Sequence, residues 1–183
     1  MPLWWLATPP PVSLLGNLPP SLGGRGKAAM LEIIEAYNGK PLKTVRGLFQ
    51  EYASSLGIRL DFQNFDEELA DLPADYRPPA GRLLLAQWAG EPAGCVALRR
   101  IEGPICEMKR LYTSPRFRRL GIGKALCEAV IEEARRGGYE RMRLDTLPSM
   151  EAAKAMYLSF GFREIAPYRY NPIEGAMFLE LEL

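Results

Sequence analysis

No histidine occurs among the 183 residues of the chain. That absence removes Ser–His and Cys–His nucleophilic pairs, HExxH zinc sites and any imidazole acid or base. Proton transfer must fall to carboxylates, tyrosine, lysine or water, and no metal is expected. Cysteine is scarce as well: Cys95, Cys106 and Cys127 are an odd number without CxxC spacing, each among apolar neighbours. They read as small core hydrophobes, and a reducing, cytoplasmic setting is expected. Charge of one sign is missing too, since 23 lysines and arginines face 22 aspartates and glutamates. Without a global basic field, nucleic acid is not an expected partner. Long apolar runs are also lacking. Near the start, Trp4, Trp5, Leu14 and Leu15 are broken up by Pro2, Pro9, Pro10, Pro11, Pro19 and Pro20, which excludes a membrane-spanning helix there. The first basic side chain, Arg25, follows the apolar stretch, the reverse of a signal peptide, and no membrane partner is expected.

What is present, 48% hydrophobic and 25% charged residues, fits one globular domain with a sizeable core. Residues 1–28 read as a proline-rich extension and 29–183 as the domain. The pattern predicts a strand from Met30 to Ala36, closed by the Asn38-Gly39 turn, and a helix over 42–56 with Val45, Leu48, Phe49, Tyr52 and Leu56 on one face. A shorter helix is predicted over 65–72. Runs at 83–88, 95–98 and 105–112, separated by glycine- and proline-bearing turns, read as an antiparallel meander. A helix over 121–136 and a strand over 141–146 follow, which calls for locally parallel pairing. Ser149 is the expected cap of a further helix ending at Gly161, with closing strands at 162–168 and 176–183.

The chemistry concentrates in L-Y-T-S-P-R-F-R-R-L-G-I-G-K-A-L, where a strand passes through Pro115 into a loop with two glycines and then directly into a helix. Gly121 and Gly123 permit close backbone approach to an anion, and Arg116, Arg118, Arg119 and Lys124 add positive charge at a helix N-terminus. The loop is suited to a phosphate or pyrophosphate. It is not a Walker A loop, because Ala125 follows Lys124, and no third glycine completes GxGxxG.

R-R-L-G-I-G, Arg118 to Gly123, resembles the [QR]-x-x-G-x-[GA] acetyl-CoA motif of the GCN5-related N-acetyltransferases (GNAT). Downstream, A-A-K-A-M-Y-L-S-F-G-F, Ala152 to Phe162, is similar to that family's helix ending in Y-x-x-x-G-F. The resemblance covers roughly Met30 to Leu183. It implies an α/β (α+β) GNAT fold: a mixed, twisted sheet of about six to seven strands with helices on both faces, the fourth and fifth strands splayed around pantetheine. It further implies acetyl-CoA as cosubstrate, held by Leu111, Tyr112, Thr113, Arg118, Arg119, Leu120, Gly121, Ile122, Gly123 and Lys124. Met150 stands where many members carry an asparagine.

By the same resemblance, Glu107 is the expected base, acting through water with Asp145 in reserve, and Tyr157 the proton donor to sulfur. The competing readings are a salt bridge from Glu107 to Lys109 or Arg110, and a purely structural aromatic at 157. A negative cluster, Asp61, Asp66, Glu67, Glu68, Asp71 and Asp75, falls where the family walls its acceptor groove. Asp66, Glu67, Asp71 and Asp145 are therefore candidate substrate contacts for a small cationic amine such as an aminoglycoside or polyamine. A protein lysine or N-terminus, or a neutral amino acid held by an arginine clamp, would serve as acceptor too. A solvated helix face would explain the acidic run equally well. A catalytically silent acetyl-CoA sensor is the alternative outside enzymology, and a homodimer is possible in principle.

Overall fold

A computed structural model of the chain describes residues 30–57 and 64–183. The extension over 1–28 and Asp61 lie outside them. Seven strands form one sheet: β1 (Leu31–Glu35), β2 (Arg82–Trp88), β3 (Glu91–Glu102), β4 (Ile105–Thr113), β5 (Arg141–Thr146), β6 (Arg163–Ile165) and β7 (Met177–Glu182). Their spatial order is β1-β2-β3-β4-β5-β7-β6, and every pairing is antiparallel except β4 with β5. Among the described residues four α-helices accompany the sheet: α1 (Gly39–Ser55), α2 (Phe65–Asp71), α3 (Ile122–Arg136) and α4 (Glu151–Ser159).

The meander follows from turn chemistry. Trp88 pairs with Glu91 across Ala89 and Gly90, both at positive φ, the two-residue turn whose twist matches that of the strands it joins. β3 runs from 91 to 102, well beyond the predicted 95–98, because the hairpin registers extend its pairing past the apolar stretch. One face of the sheet packs Val45, Leu48 and Phe49 of α1 against Leu83, Leu85, Cys95 and Ala97. On the other, Leu126, Val130, Ile131 and Ala134 of α3 and Tyr157 of α4 meet Leu84, Val96, Leu98, Met108 and Leu144. Each fully buried large aliphatic side chain contributes roughly 1.5–3 kcal/mol. A sheet covered on both faces accounts for the continuous burial of Ile105–Arg110 in β4.

Two local expectations are corrected. Met150, not Ser149, is the N-cap of α4, and no side chain caps that helix. The reason is a turn closed from Met150 N–H to the Leu147 carbonyl at 3.0 Å, which spends Ser149 inside the turn. The strand expected over 162–168 shortens to Arg163–Ile165, since Pro167 has no N–H to give to β7.

The feature that makes a site is the junction of β4 and β5. They pair in parallel only from Ile105 to Glu107 with Arg141 to Arg143, and then part. On its other edge β4 carries a bulge: register moves from Ala97–Lys109 to Cys95–Tyr112, so Arg110 and Leu111 oppose Val96 alone. Arg110 adopts φ 57°, uncommon outside glycine. The bulge re-aims the rest of β4 while its outer edge stays unpaired.

Candidate active site

A cleft opens where β4 and β5 diverge. Its α3/α4 side is lined by Met108, Leu111, Leu144, Thr146, Met150 and Tyr157, and its α1/α2 side by Tyr52, Leu56, Lys109, Arg110, Asp145 and Arg169. Strand alternation explains the division. Met108 and Leu144 share the α3 core, so Lys109 and Asp145, one residue on, face the other way.

On the α3 side, a short turn at Pro115–Phe117 delivers the chain to the loop. Gly121, at φ 85°, is the N-cap of α3, and no side chain caps the helix. Its first-turn N–H groups therefore remain open to an anion. Gly123 packs close to β4: a Cβ there would lie 3.4 Å from Thr113 Oγ1. Ile122 is buried and Leu120 half-buried, anchoring the loop while its backbone faces out; Arg118, Arg119 and Lys124 are exposed around it. Lys124 reaches Glu128 at 3.7 Å, and Arg116 bonds Glu91 at 2.9 Å. The Tyr112 side chain leaves for the opposite face, where its hydroxyl donates to Glu51 at 2.9 Å. At that residue only the main chain can serve the cleft.

Tyr157 is buried on this side, edge-on to Phe162. Burial raises its pKa far above the ordinary phenol value, so it is a protonated group at neutral pH. Thr146 Oγ1 is buried without a hydrogen-bond partner among the described residues. An orphaned hydroxyl beside Met150, in a cleft whose β4 edge is unpaired, fits a ligand that brings amide groups.

The α1/α2 side is a charged network. Glu107, 1% exposed, accepts from Arg99 Nε at 2.8 Å and from the Tyr168 hydroxyl at 2.8 Å, with Arg169 Nε 3.4 Å away. It does not line the cleft, and its salt-bridge partners are Arg99 and Arg169 rather than Lys109 or Arg110. Asp145 does line the cleft, held by Arg169 and by Asn171 Nδ2 at 2.8 Å. Glu68 turns inward and takes two bonds from Arg110, 3.0 and 2.6 Å, and one from the Tyr76 hydroxyl at 2.6 Å. Burial opposes ionisation of Glu68, but Arg110's hydrogen bonds and charge outweigh it and lower the pKa. Asp66, Glu67 and Asp71 are exposed on α2 and absent from the cleft wall. The reason is helical phase: α2 buries Phe65 and half-buries Glu68 and Leu69, leaving 66, 67 and 71 to solvent.

A family description, the acetyltransferase (GNAT) family, matches residues 43–162. The chain belongs to the GNAT family. It is 43% identical over 138 residues to a protein named an uncharacterized N-acetyltransferase of Schizosaccharomyces pombe, covering 74% of this chain and 85% of that one. To another so named, from Dictyostelium discoideum, it is 33% identical over 84% of this chain and 99% of the other. Among solved structures, an acetyltransferase from Streptococcus agalactiae superposes with a TM-score of 0.69 at 22% identity, over 84% of this chain and 98% of that chain. This GNAT protein is thus an acyltransferase with the mixed, unclosed sheet of its family, and acetyl-CoA is its acyl donor. GNAT acetyltransferases act on small-molecule or peptide acceptors. Among the described residues no group of three or more His, Cys, Asp or Glu could hold a metal, and no helix is long and apolar enough to cross a membrane.

Arg99, Lys109, Arg110, Tyr168 and Arg169 were not candidates on sequence grounds. Lys109-Arg110 carried a signal, two adjacent cations inside an apolar strand; Arg169 carried none, lying in a connection far along the chain from its partners.

Proposed function

We propose that this GNAT protein transfers acetyl directly from acetyl-CoA to the amine of a small molecule, the two substrates meeting across the β4/β5 cleft. The observation that carries the reading is a buried, protonated tyrosine lining the cleft beside the unpaired edge of β4, with the uncapped N-terminus of α3 packed against the end of that strand at Thr113. Acetyl-CoA supplies the activated thioester. Gly121, Ile122 and Gly123 present backbone N–H groups to the pyrophosphate, with Arg118, Arg119 and Lys124 around it. The unpaired edge of β4 from Leu111 to Thr113 offers main-chain groups to the pantetheine, and Thr146 Oγ1 offers one more.

In the transfer, the amine nitrogen bonds the acetyl carbon, the carbon–sulfur bond breaks, and one proton leaves nitrogen while another reaches sulfur. Tyr157, which lines the cleft and keeps its proton at neutral pH, donates the second. Asp145, the carboxylate that lines the cleft, receives the first. Glu107 does not line the cleft, and its role is to position Arg169 against Asp145. A polycationic acceptor, expected from the acidic run, finds little support: among the described residues Asp145 is the single carboxylate lining the cleft, and Arg169 and Asn171 hold it. Three free, buried thiols support a reducing, cytoplasmic setting.

Coenzyme A release from acetyl-CoA with a panel of amines tests the reading. Tyr157→Phe should lower kcat on the order of 100-fold while leaving the acetyl-CoA Kd unchanged. Binding of acetyl-CoA without turnover of any amine would make the protein a sensor instead.

A further inference from the structure

Among the described residues, the α1/α2 side of the cleft is one negative charge short. Four cations gather there, Arg99, Lys109, Arg110 and Arg169, against three carboxylates, Glu68, Glu107 and Asp145. Each carboxylate is already engaged by an arginine: Glu68 by Arg110 at 2.6 Å, Glu107 by Arg99 at 2.8 Å, and Asp145 by Arg169. Lys109 remains. Its nearest carboxylate oxygen, Glu68 Oε2, stands at 3.9 Å, and its side chain is 4% exposed, so neither a close partner nor bulk water stabilises the ammonium. Burial, and then the charge of Arg110, push its pKa down to about 8.

A second observation falls in the same cleft. Arg169 Nε is buried and has no hydrogen-bond partner among the described residues, the geometry to Glu107 being too poor. This N–H faces Glu107 Oε1 at 3.4 Å, and the guanidinium it belongs to lines the cleft, where a ligand can complete its hydrogen bonding. A water could satisfy the N–H, but it could not supply the missing charge.

We infer that the acceptor is an amine that carries its own carboxylate, an amino acid or close analogue, and that this carboxylate docks against the Lys109 ammonium and the Arg169 guanidinium. The amino group of such a ligand then lies toward Asp145, the carboxylate that Arg169 holds at the cleft wall. The inference rests on the acetyl-transfer reading and names its acceptor.

The test measures coenzyme A release by the full chain with saturating acetyl-CoA. The acceptors are the proteinogenic L-amino acids and β-alanine, each beside its carboxamide, with spermidine and kanamycin. At least one free acid should exceed its carboxamide on the order of 100-fold in kcat/KM, since a site built around a charge rejects the neutral isostere. Lys109→Met and Arg169→Gln, checked for folding by circular dichroism, should each raise the KM of that acid tenfold or more. In both variants the preference for the acid over its carboxamide in kcat/KM should collapse, while the acetyl-CoA Kd should not change. Equal or better turnover of carboxamides, spermidine or kanamycin overturns the inference and leaves acetyl transfer standing. So does an acid whose KM is indifferent to both substitutions. Acetyl-CoA binding with no release from any amine overturns acetyl transfer itself, and the inference with it.

Discussion

The two sides of the β4/β5 cleft are built by different means. The α3/α4 side takes its backbone devices from one stretch, Leu111 to Lys124, which supplies an uncapped helix N-terminus, two glycines and an unpaired strand edge, and β5 and α4 complete its wall. The α1/α2 side draws on β3, β4, β5, α2 and the connection from β6 to β7, and works through charged side chains, each fixed by another. A backbone device tolerates variation in most of the side chains that carry it. A network of buried charges tolerates almost none, because removing one member strands its partner.

The largest effect should come from Gly123→Glu, which sets a carboxylate where the helix N-terminus receives the pyrophosphate. Calorimetry should find acetyl-CoA affinity lost by about 1,000-fold or more with the fold intact. Gly123→Ala is the control: its methyl meets Thr113 Oγ1 at an ordinary 3.4 Å, and affinity should stay within a few-fold.

Glu68→Gln on the opposite side should behave in the reverse way. Arg110, 2% exposed and at φ 57°, would lose its charged partner, and unfolding stability should fall by about 3–5 kcal/mol in chemical denaturation. The acetyl-CoA Kd of the folded fraction should not change. If Glu68→Gln were as stable as the parent, the picture of interlocked charges would fail.

Lys109→Met sharpens the contrast through pH. The folded-state pKa of about 8 lies below the ordinary 10.5, so the unfolded chain binds more protons between these values and the parent gains stability as pH rises through that window. Relative to Lys109→Met, the parent should gain up to about 3 kcal/mol from pH 8 to 10.5 and nothing below it. A flat difference would mean that the ammonium is compensated already.

The smallest effect is expected of Asp66→Asn combined with Asp71→Asn. Both residues are exposed on α2 and outside the cleft wall, so the KM of every acceptor should change less than about twofold at low salt. A clear rise in KM would restore the acidic run as an acceptor wall.

The division between the two sides is also a division in what could be read beforehand. The loop's geometry was legible because it is local: Gly121 and Gly123 sit where the backbone must turn or come close, a few residues from the strand that precedes them. Tyr157 was legible through its spacing to Gly161 and Phe162. The placement of the acidic run was not legible, since six carboxylates in a short segment look alike until helical phase turns Glu68 inward and sends Asp66, Glu67 and Asp71 to solvent. Glu107 was expected to act freely on a strand. Its surroundings, Arg99 from a hairpin partner and Tyr168 and Arg169 from a connection some sixty residues on, form only when β7 inserts between β5 and β6.

The sequence by itself determined the order and type of the elements, the hairpin turns, the anion-ready loop and the family, because each depends on neighbours within a few residues or on a motif of fixed spacing. Tertiary structure alone decided, among the described residues, which carboxylates are sealed, which one lines the cleft, and that Lys109 has no close counter-charge. Burial and Coulomb energy depend on distances between chain segments remote in sequence, and no local pattern encodes them.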